Sequence, residues 1–187
     1  MPVRTFFALD IDDVLRSRLA EVEAALSGDE KITWVKPVNL HVTLNFLGSV
    51  PDEMIADVCN VGRQVASGIE PFDFHVTQIV CVPPRGRLRM IWAAVSDPTG
   101  RMARLNEELS LALGELGLRQ EDRQFKGHVT FARVRFAKDA SRLRAAAQQY
   151  AADDFPAQHA DELVAYTSRL TPDGPIYTPV ARAKLGQ

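Results

Sequence analysis

The triplet His-Val-Thr occurs three times in this chain, at positions 41–43, 75–77 and 128–130, and takes up three of its four histidines. In a strand, residues i and i+2 project from one face, so each triplet presents an imidazole and a hydroxyl together while its valine packs behind them. That pairing suits a phosphate. The hydroxyl donates to a non-bridging oxygen, and an imidazole with a pKa of about 6.5 gives or takes a proton near neutrality. Two such strands facing each other supply an acid, a base and two donors, which is what hydrolysis of a phosphodiester needs without a metal. One group deprotonates water, and the other protonates the departing oxygen at the opposite end of an in-line displacement.

The flanks separate the three copies. His41 follows the turn-like Pro37-Val38-Asn39 and opens a strand, and His128 likewise emerges from a loop after Lys126-Gly127. His75 lies inside a strand already begun at Phe72, beside Asp73, and reads as a structural residue. The candidate site is therefore His41, Thr43, His128 and Thr130. His159 falls in an expected loop and has no assigned role.

The elements that must position these residues follow from periodicity and punctuation. Val3–Leu9 reads as a buried strand, and Asp12 opens a helix whose Val14, Leu15, Leu19, Val22 and Leu26 recur at helical spacing. Residues 34–39 read as extended and proline-broken, and 40–47 as an alternating strand that stops at Gly48. Pro51 and Asp52 start a second helix running to about Ser67. Residues 72–82 and 87–95 form a hairpin around Pro83-Pro84-Arg85-Gly86. Asp97-Pro98 is expected to cap and begin a helix that ends near Leu116, with Gly117 as its stop. A charged stretch, 119–126, leads to a strand at 128–134, and 139–150 reads as an alanine-rich helix. Strands at 162–170 and 177–185 flank the turn 171–175. Hairpins among alternating helices and strands point to an α+β fold with antiparallel sheets rather than a doubly wound parallel one.

Composition narrows the classes. The 187 residues are 46% apolar with a net charge of −2, which excludes a polycationic nucleic-acid coat while leaving room for a local basic cleft. A chain of this length buries enough surface to need no disulfide or metal staple. Its two cysteines, Cys59 and Cys81, sit in apolar stretches outside any CxxC pair and read as core residues in a reducing compartment. The run from Met1 to Leu9 is too short for a signal peptide or membrane helix, so a cytoplasmic protein is expected.

The stretches WVKPVNLHVTLNFLG (34–48) and RQFKGHVTFARV (123–134) closely resemble the two HxTx motifs of the 2H phosphoesterase superfamily, specifically the LigT-like RNA 2′,3′-cyclic phosphodiesterases. RTFFAL (4–9) resembles that group's first strand, and 161–185 its closing hairpin, so the likeness covers essentially the whole chain. It implies a single domain over 1–187 of two pseudo-symmetric lobes, each an antiparallel sheet backed by helices, with an HxTx strand from each lobe lining a shared cleft. It implies His41 as proton donor, His128 as proton acceptor, and Thr43 and Thr130 as substrate-binding residues. It further implies no cofactor or metal, and an RNA or oligonucleotide with a 2′,3′-cyclic phosphate end as substrate for a monomeric enzyme. Two equivalent triplets do not themselves reveal which histidine is the acid. Gly127 and Gln124 stand where family members often have proline, which predicts a more flexible loop into the second motif.

Arg85, Arg87 and Arg89 cluster near one turn, and Arg123, Lys126, Arg133 and Arg135 bracket the second motif, as an RNA-backbone groove or as a solvated edge. Strict alternation puts Arg133 and Arg135 on the face opposite His128. Trp34, Phe46 and Trp92 are candidates to stack a base or to fill the core. Two rival readings stand beside the main one. FFALDIDDVL (6–15) resembles the nucleophile loop of magnesium-dependent haloacid-dehalogenase-type phosphatases, with Asp10 as nucleophile and Asp12 as acid/base; a simpler role for these carboxylates is to close the strand and cap the next helix. A non-catalytic RNA-end binding module would keep the threonines without requiring both histidines. Joining of 2′ ends, the reverse reaction associated with this group, is compatible with the same site.

Overall fold

The computed structural model describes residues 2–28, 31–118, 124–172 and 174–187. Arg123, most of the charged stretch before the second motif, and Asp173 in the last turn lie outside the described residues. The elements run β1 (Val3–Asp10), α1 (Asp13–Leu26), β2 (Lys31–Trp34), β3 (His41–Val50), α2 (Ile55–Ser67), β4 (Phe72–Val82) and β5 (Met90–Ser96). They continue through α3 (Arg101–Glu115), β6 (His128–Phe136), α4 (Ala140–Ala147), β7 (Gln158–Ala160), β8 (Glu162–Thr171) and β9 (Gly174–Lys184). The class is α+β, with every described strand pair antiparallel.

The strand order β7-β4-β5-β6-β3-β1-β8-β9, with β2 also on β6, holds an internal repeat. The succession strand, helix, strand, helix, strand occurs first as β1-α1-β3-α2-β4 and again as β5-α3-β6-α4-β8. In the sheet each repeat lends its last strand to the other: β4 lies beside β5, and β8 beside β1. Two lobes result, meeting where β3 lies against β6, and that seam is a single residue pair, Val42 with Val129. Both valines are wholly buried. Helices α2 and α3 cover the β3–β1–β8–β9 lobe, while α4 packs on β4 and against α1. Gly62 brings α2 close to the sheet, since a Cβ there would stand 2.6 Å from a ring carbon of the fully buried Phe7.

Local chemistry explains most boundaries. The Asp12 carboxylate accepts the Leu15 N–H at 2.8 Å and caps α1, whose Leu15, Leu19, Val22 and Leu26 are buried. Asp97 also caps, but from further upstream than the sequence suggests. Its carboxylate takes the Thr99 and Met102 N–H groups, each at 2.7 Å, and α3 begins at Arg101 rather than at Pro98. Strand β3 does not stop at Gly48; the residue adopts φ 71° within the strand, opposite Thr5, and pairing continues to Val50. The segment 34–39 divides into the end of edge strand β2 and a 3₁₀ turn at Pro37–Asn39. His159 is not in a loop but in the three-residue strand β7, paired with Asp73. Cys59 and Cys81 are both buried and unbridged. Among the described residues no helix is long and apolar enough to cross a membrane.

Candidate active site

The Val42–Val129 seam organises the site. Continuing its antiparallel register sets His41 across from Thr130 and Thr43 across from His128. With both valines turned into the core, the two imidazoles and two hydroxyls share the opposite face.

Each ring is oriented by the backbone that leads into its strand. His41 Nδ1 lies 2.8 Å from the Asn39 carbonyl, and His128 Nδ1 lies 2.7 Å from the Lys126 carbonyl. A carbonyl only accepts, so Nδ1 carries the hydrogen in both rings and Nε2 is the nitrogen left for chemistry. Nε2 of His41 sits 3.0 Å from Thr43 Oγ1. Each ring is also backed by an aromatic face: Phe6 stacks on His41 at 4.9 Å, and Trp92 stacks on His128 at 4.0 Å. Trp92 is thus a support for an imidazole.

Electrostatically the two sides differ. Burial, the dominant influence, holds His41 below the ordinary imidazole range; the Asn39 carbonyl and the Asp10 carboxylate push the other way, and the charge of His128 pushes it further down. Asp10 is the direct cross-strand neighbour of His41. Its carboxylate accepts from the Tyr166 hydroxyl at 2.8 Å and from Arg182 at 3.2 Å. Burial, and then the bond to Asp10, push the Tyr166 phenol up to about 12. Asp12 is occupied as the α1 cap, and among the described residues no three His, Cys, Asp or Glu side chains converge as metal ligands. Tyr166 and Arg182 thus hold Asp10 at the end of an antiparallel strand, beside His41.

Alternation fails in both motif strands at equivalent places. Phe7 pairs with Asn45 and Ala8 with Thr43, leaving Leu44 as an extra residue; Ile91 pairs with Ala132 and Trp92 with Thr130, leaving Phe131 extra. Each bulge puts two consecutive buried residues on the core side and delays the alternation by one. Phe46 and Arg133 consequently return to the cleft face, so the expectation that Arg133 faces away from His128 is wrong. Arg133 lines a cavity of about 400 Å³ together with His41, Thr43, Thr130, Trp34 and Phe46. His128 is outside this lining, although it shares the β6 face with Thr130. Arg85, Arg87 and Arg89 do not line the cavity either.

Gly127 does not loosen the entry to the second motif. A Cβ there would stand 2.8 Å from Val95 Cγ2 and 2.9 Å from Met102 Sδ, and its carbonyl accepts the Val95 N–H at 3.0 Å. The third triplet lies within β4, outside the cavity lining. Thr77 donates to the Ala94 carbonyl at 3.2 Å, and on the same strand Asp73 pairs with His159 at 2.6 Å, on an exposed surface.

Comparison with known proteins adds a second line. A family model described as LigT like Phosphoesterase matches residues 9–92 and again 94–177, once over each repeat. An RNA 2′,3′-cyclic phosphodiesterase of Methanothermobacter thermautotrophicus is 31% identical over 179 residues, covering 95% of this chain and 96% of that protein. One from Archaeoglobus fulgidus is 31% identical over 175 residues, with 94% and 96% covered. Among solved structures, a Thermus thermophilus protein superposes with a TM-score of 0.83 at 25% identity over 98% of both chains. Escherichia coli LigT, crystallised with 3′-AMP, has the same fold, with a TM-score of 0.83 at 24% identity over 100% of both chains.

Proposed function

The chain belongs to the LigT-like phosphoesterase family, and on that premise we propose that it is an RNA 2′,3′-cyclic phosphodiesterase whose His41 and His128 do the proton transfers without a metal. The observation that carries this reading is the Val42–Val129 seam, which turns two oriented imidazoles and two threonine hydroxyls to one face beside a nucleotide-sized cavity. His128 takes a proton from water through Nε2 as the water oxygen bonds to phosphorus. The bond from phosphorus to the 3′ oxygen breaks at the opposite end, and Nε2 of protonated His41 supplies the proton to that oxygen. Thr43 and Thr130 donate to the non-bridging oxygens. The acid and base sense follows the family resemblance.

Burial makes His41 reluctant to carry charge in the free protein, so its protonated form belongs to the substrate complex, where the anionic phosphate offsets the cost. A test is the product: an oligonucleotide 2′,3′-cyclic phosphate should yield a 2′-phosphate and a 3′-hydroxyl, distinguished by phosphorus NMR. A 3′-phosphate product contradicts the scheme, and absence of turnover contradicts the function.

The pH dependence follows from the same electrostatics. Two interacting imidazoles titrate in two macroscopic steps, and the lower step governs the rising limb whichever ring is the acid. Burial of His41 draws that step below the ordinary imidazole value of 6.5. The rising limb of kcat/KM is therefore expected below pH 6.5. For kcat both limbs should move to higher pH, because bound phosphate favours imidazolium. A pH–rate profile under both conditions checks this, and a kcat limb at lower pH than its kcat/KM counterpart speaks against it.

A further inference from the structure

Two of the cations lining the cavity, Arg4 and Arg133, belong to strand segments that lead away from the Val42–Val129 seam in opposite directions. Because β3 and β6 are antiparallel, β6 leads from Thr130 one way to Arg133, while β3 leads from Thr43 the other way to Phe46. Over the Phe46 ring lies the guanidinium of Arg4, from β1, with its central carbon 5.1 Å from the ring centroid. The equivalent bulges make Phe46 and Arg133 corresponding positions of the two repeats. One repeat thus offers a guanidinium from the motif strand itself, and the other offers one from the neighbouring strand. No carboxylate lines the cavity among the described residues, and neither arginine has a carboxylate partner there.

A strand advances about 3.3 Å per residue, so positions leading off in opposite directions are on the order of 15 Å apart. A cyclic phosphate drawn toward the Arg133 position is therefore remote from the Arg4 position on the neighbouring strand. Held by the two threonines and Arg133, a monoanionic cyclic phosphate leaves the charge of Arg4 unanswered. On a ribose whose 2′ and 3′ oxygens carry the reacting group, the next anionic group along the chain is the phosphate on the 5′ oxygen.

We propose that Arg4, seated on Phe46, forms a subsite for the phosphate on the 5′ oxygen of the terminal ribose. The cavity then selects RNA ends, and 5′-phosphorylated nucleotides, over cyclic nucleoside phosphates with a free 5′ hydroxyl. This rests on the phosphodiesterase reading above. Charge-assisted hydrogen bonds of this kind change binding by about tenfold or more.

The test compares kcat/KM for a nucleoside 2′,3′-cyclic phosphate, its 5′-phosphorylated form, and a dinucleotide with the same cyclic end. Wild type should favour both phosphate-bearing substrates by about tenfold or more over the first. Arg4→Gln should bring that ratio to within about threefold of unity, and Arg4→Lys should restore part of it. Lys36→Gln, on the cavity-lining segment that follows β2 beside β6, should leave the ratio standing. Preference for the dinucleotide alone would assign the Arg4–Phe46 end to an upstream base and overturn the phosphate subsite. Equal kcat/KM for all three substrates, or an Arg4→Gln variant that lowers all three alike, would overturn it as well. If none of the three is hydrolysed, the phosphodiesterase reading itself has failed.

Discussion

Alanine at His41 or at His128 is expected to lower kcat by about 10²–10⁴-fold, with KM changed far less. Each ring is held by a backbone carbonyl on Nδ1 and an aromatic face, so its Nε2 is positioned before substrate arrives. In the proposed mechanism, losing that nitrogen removes a proton transfer that exists only in the transition state, which lowers kcat more than it weakens binding. His41→Ala also leaves a gap beside the buried Phe6, so thermal unfolding should accompany the kinetics. A folded variant with less than about tenfold loss would remove that histidine from the mechanism.

Arg133→Ala is expected to cost about 10²-fold in kcat/KM, while Arg133→Lys recovers part of the loss. A planar guanidinium on the cleft face, reached through the Phe131 bulge, can donate twice to a phosphate whose charge grows in the transition state. Arg135→Ala is the comparison. Arg135 is exposed and outside the cavity lining, so its removal should change kcat/KM by no more than about twofold. A silent Arg133→Ala would mean that the bulge does not present the side chain to substrate.

Both arginine expectations turn on a feature that local sequence does not display. Alternation in Val129-Thr130-Phe131-Ala132-Arg133 has no mark of an extra residue; the bulge appears only when β5 fixes which residues are opposite one another. The same holds for Leu44 against β1. The short strand β7 was illegible for a related reason, since three residues become a strand only by pairing with β4. By contrast β4 has the bounds its composition suggests, and the Asp12 cap and buried stripe of α1 are where side-chain chemistry puts them. The candidate histidines were legible because their flanks mark strand entrances. The carbonyls of Asn39 and Lys126 that orient them were not, since any residue carries a carbonyl.

The exchange of strands between repeats was likewise beyond a linear reading. Hairpin β4–β5 is visible in Pro83-Pro84-Arg85-Gly86, yet that β4 and β5 belong to different repeats emerges only from the strand order. This exchange brings the two triplets to one seam.

Turnover of an oligonucleotide 2′,3′-cyclic phosphate in excess EDTA, by the wild type and by the His41→Ala/His128→Ala double variant, bears most directly on the two-histidine account. Undiminished wild-type turnover is expected, with the double variant only slightly slower than the worse single one, because acid and base act as a unit. Loss of wild-type turnover on chelation, or a double variant that still turns over at a rate near wild type, would contradict the account.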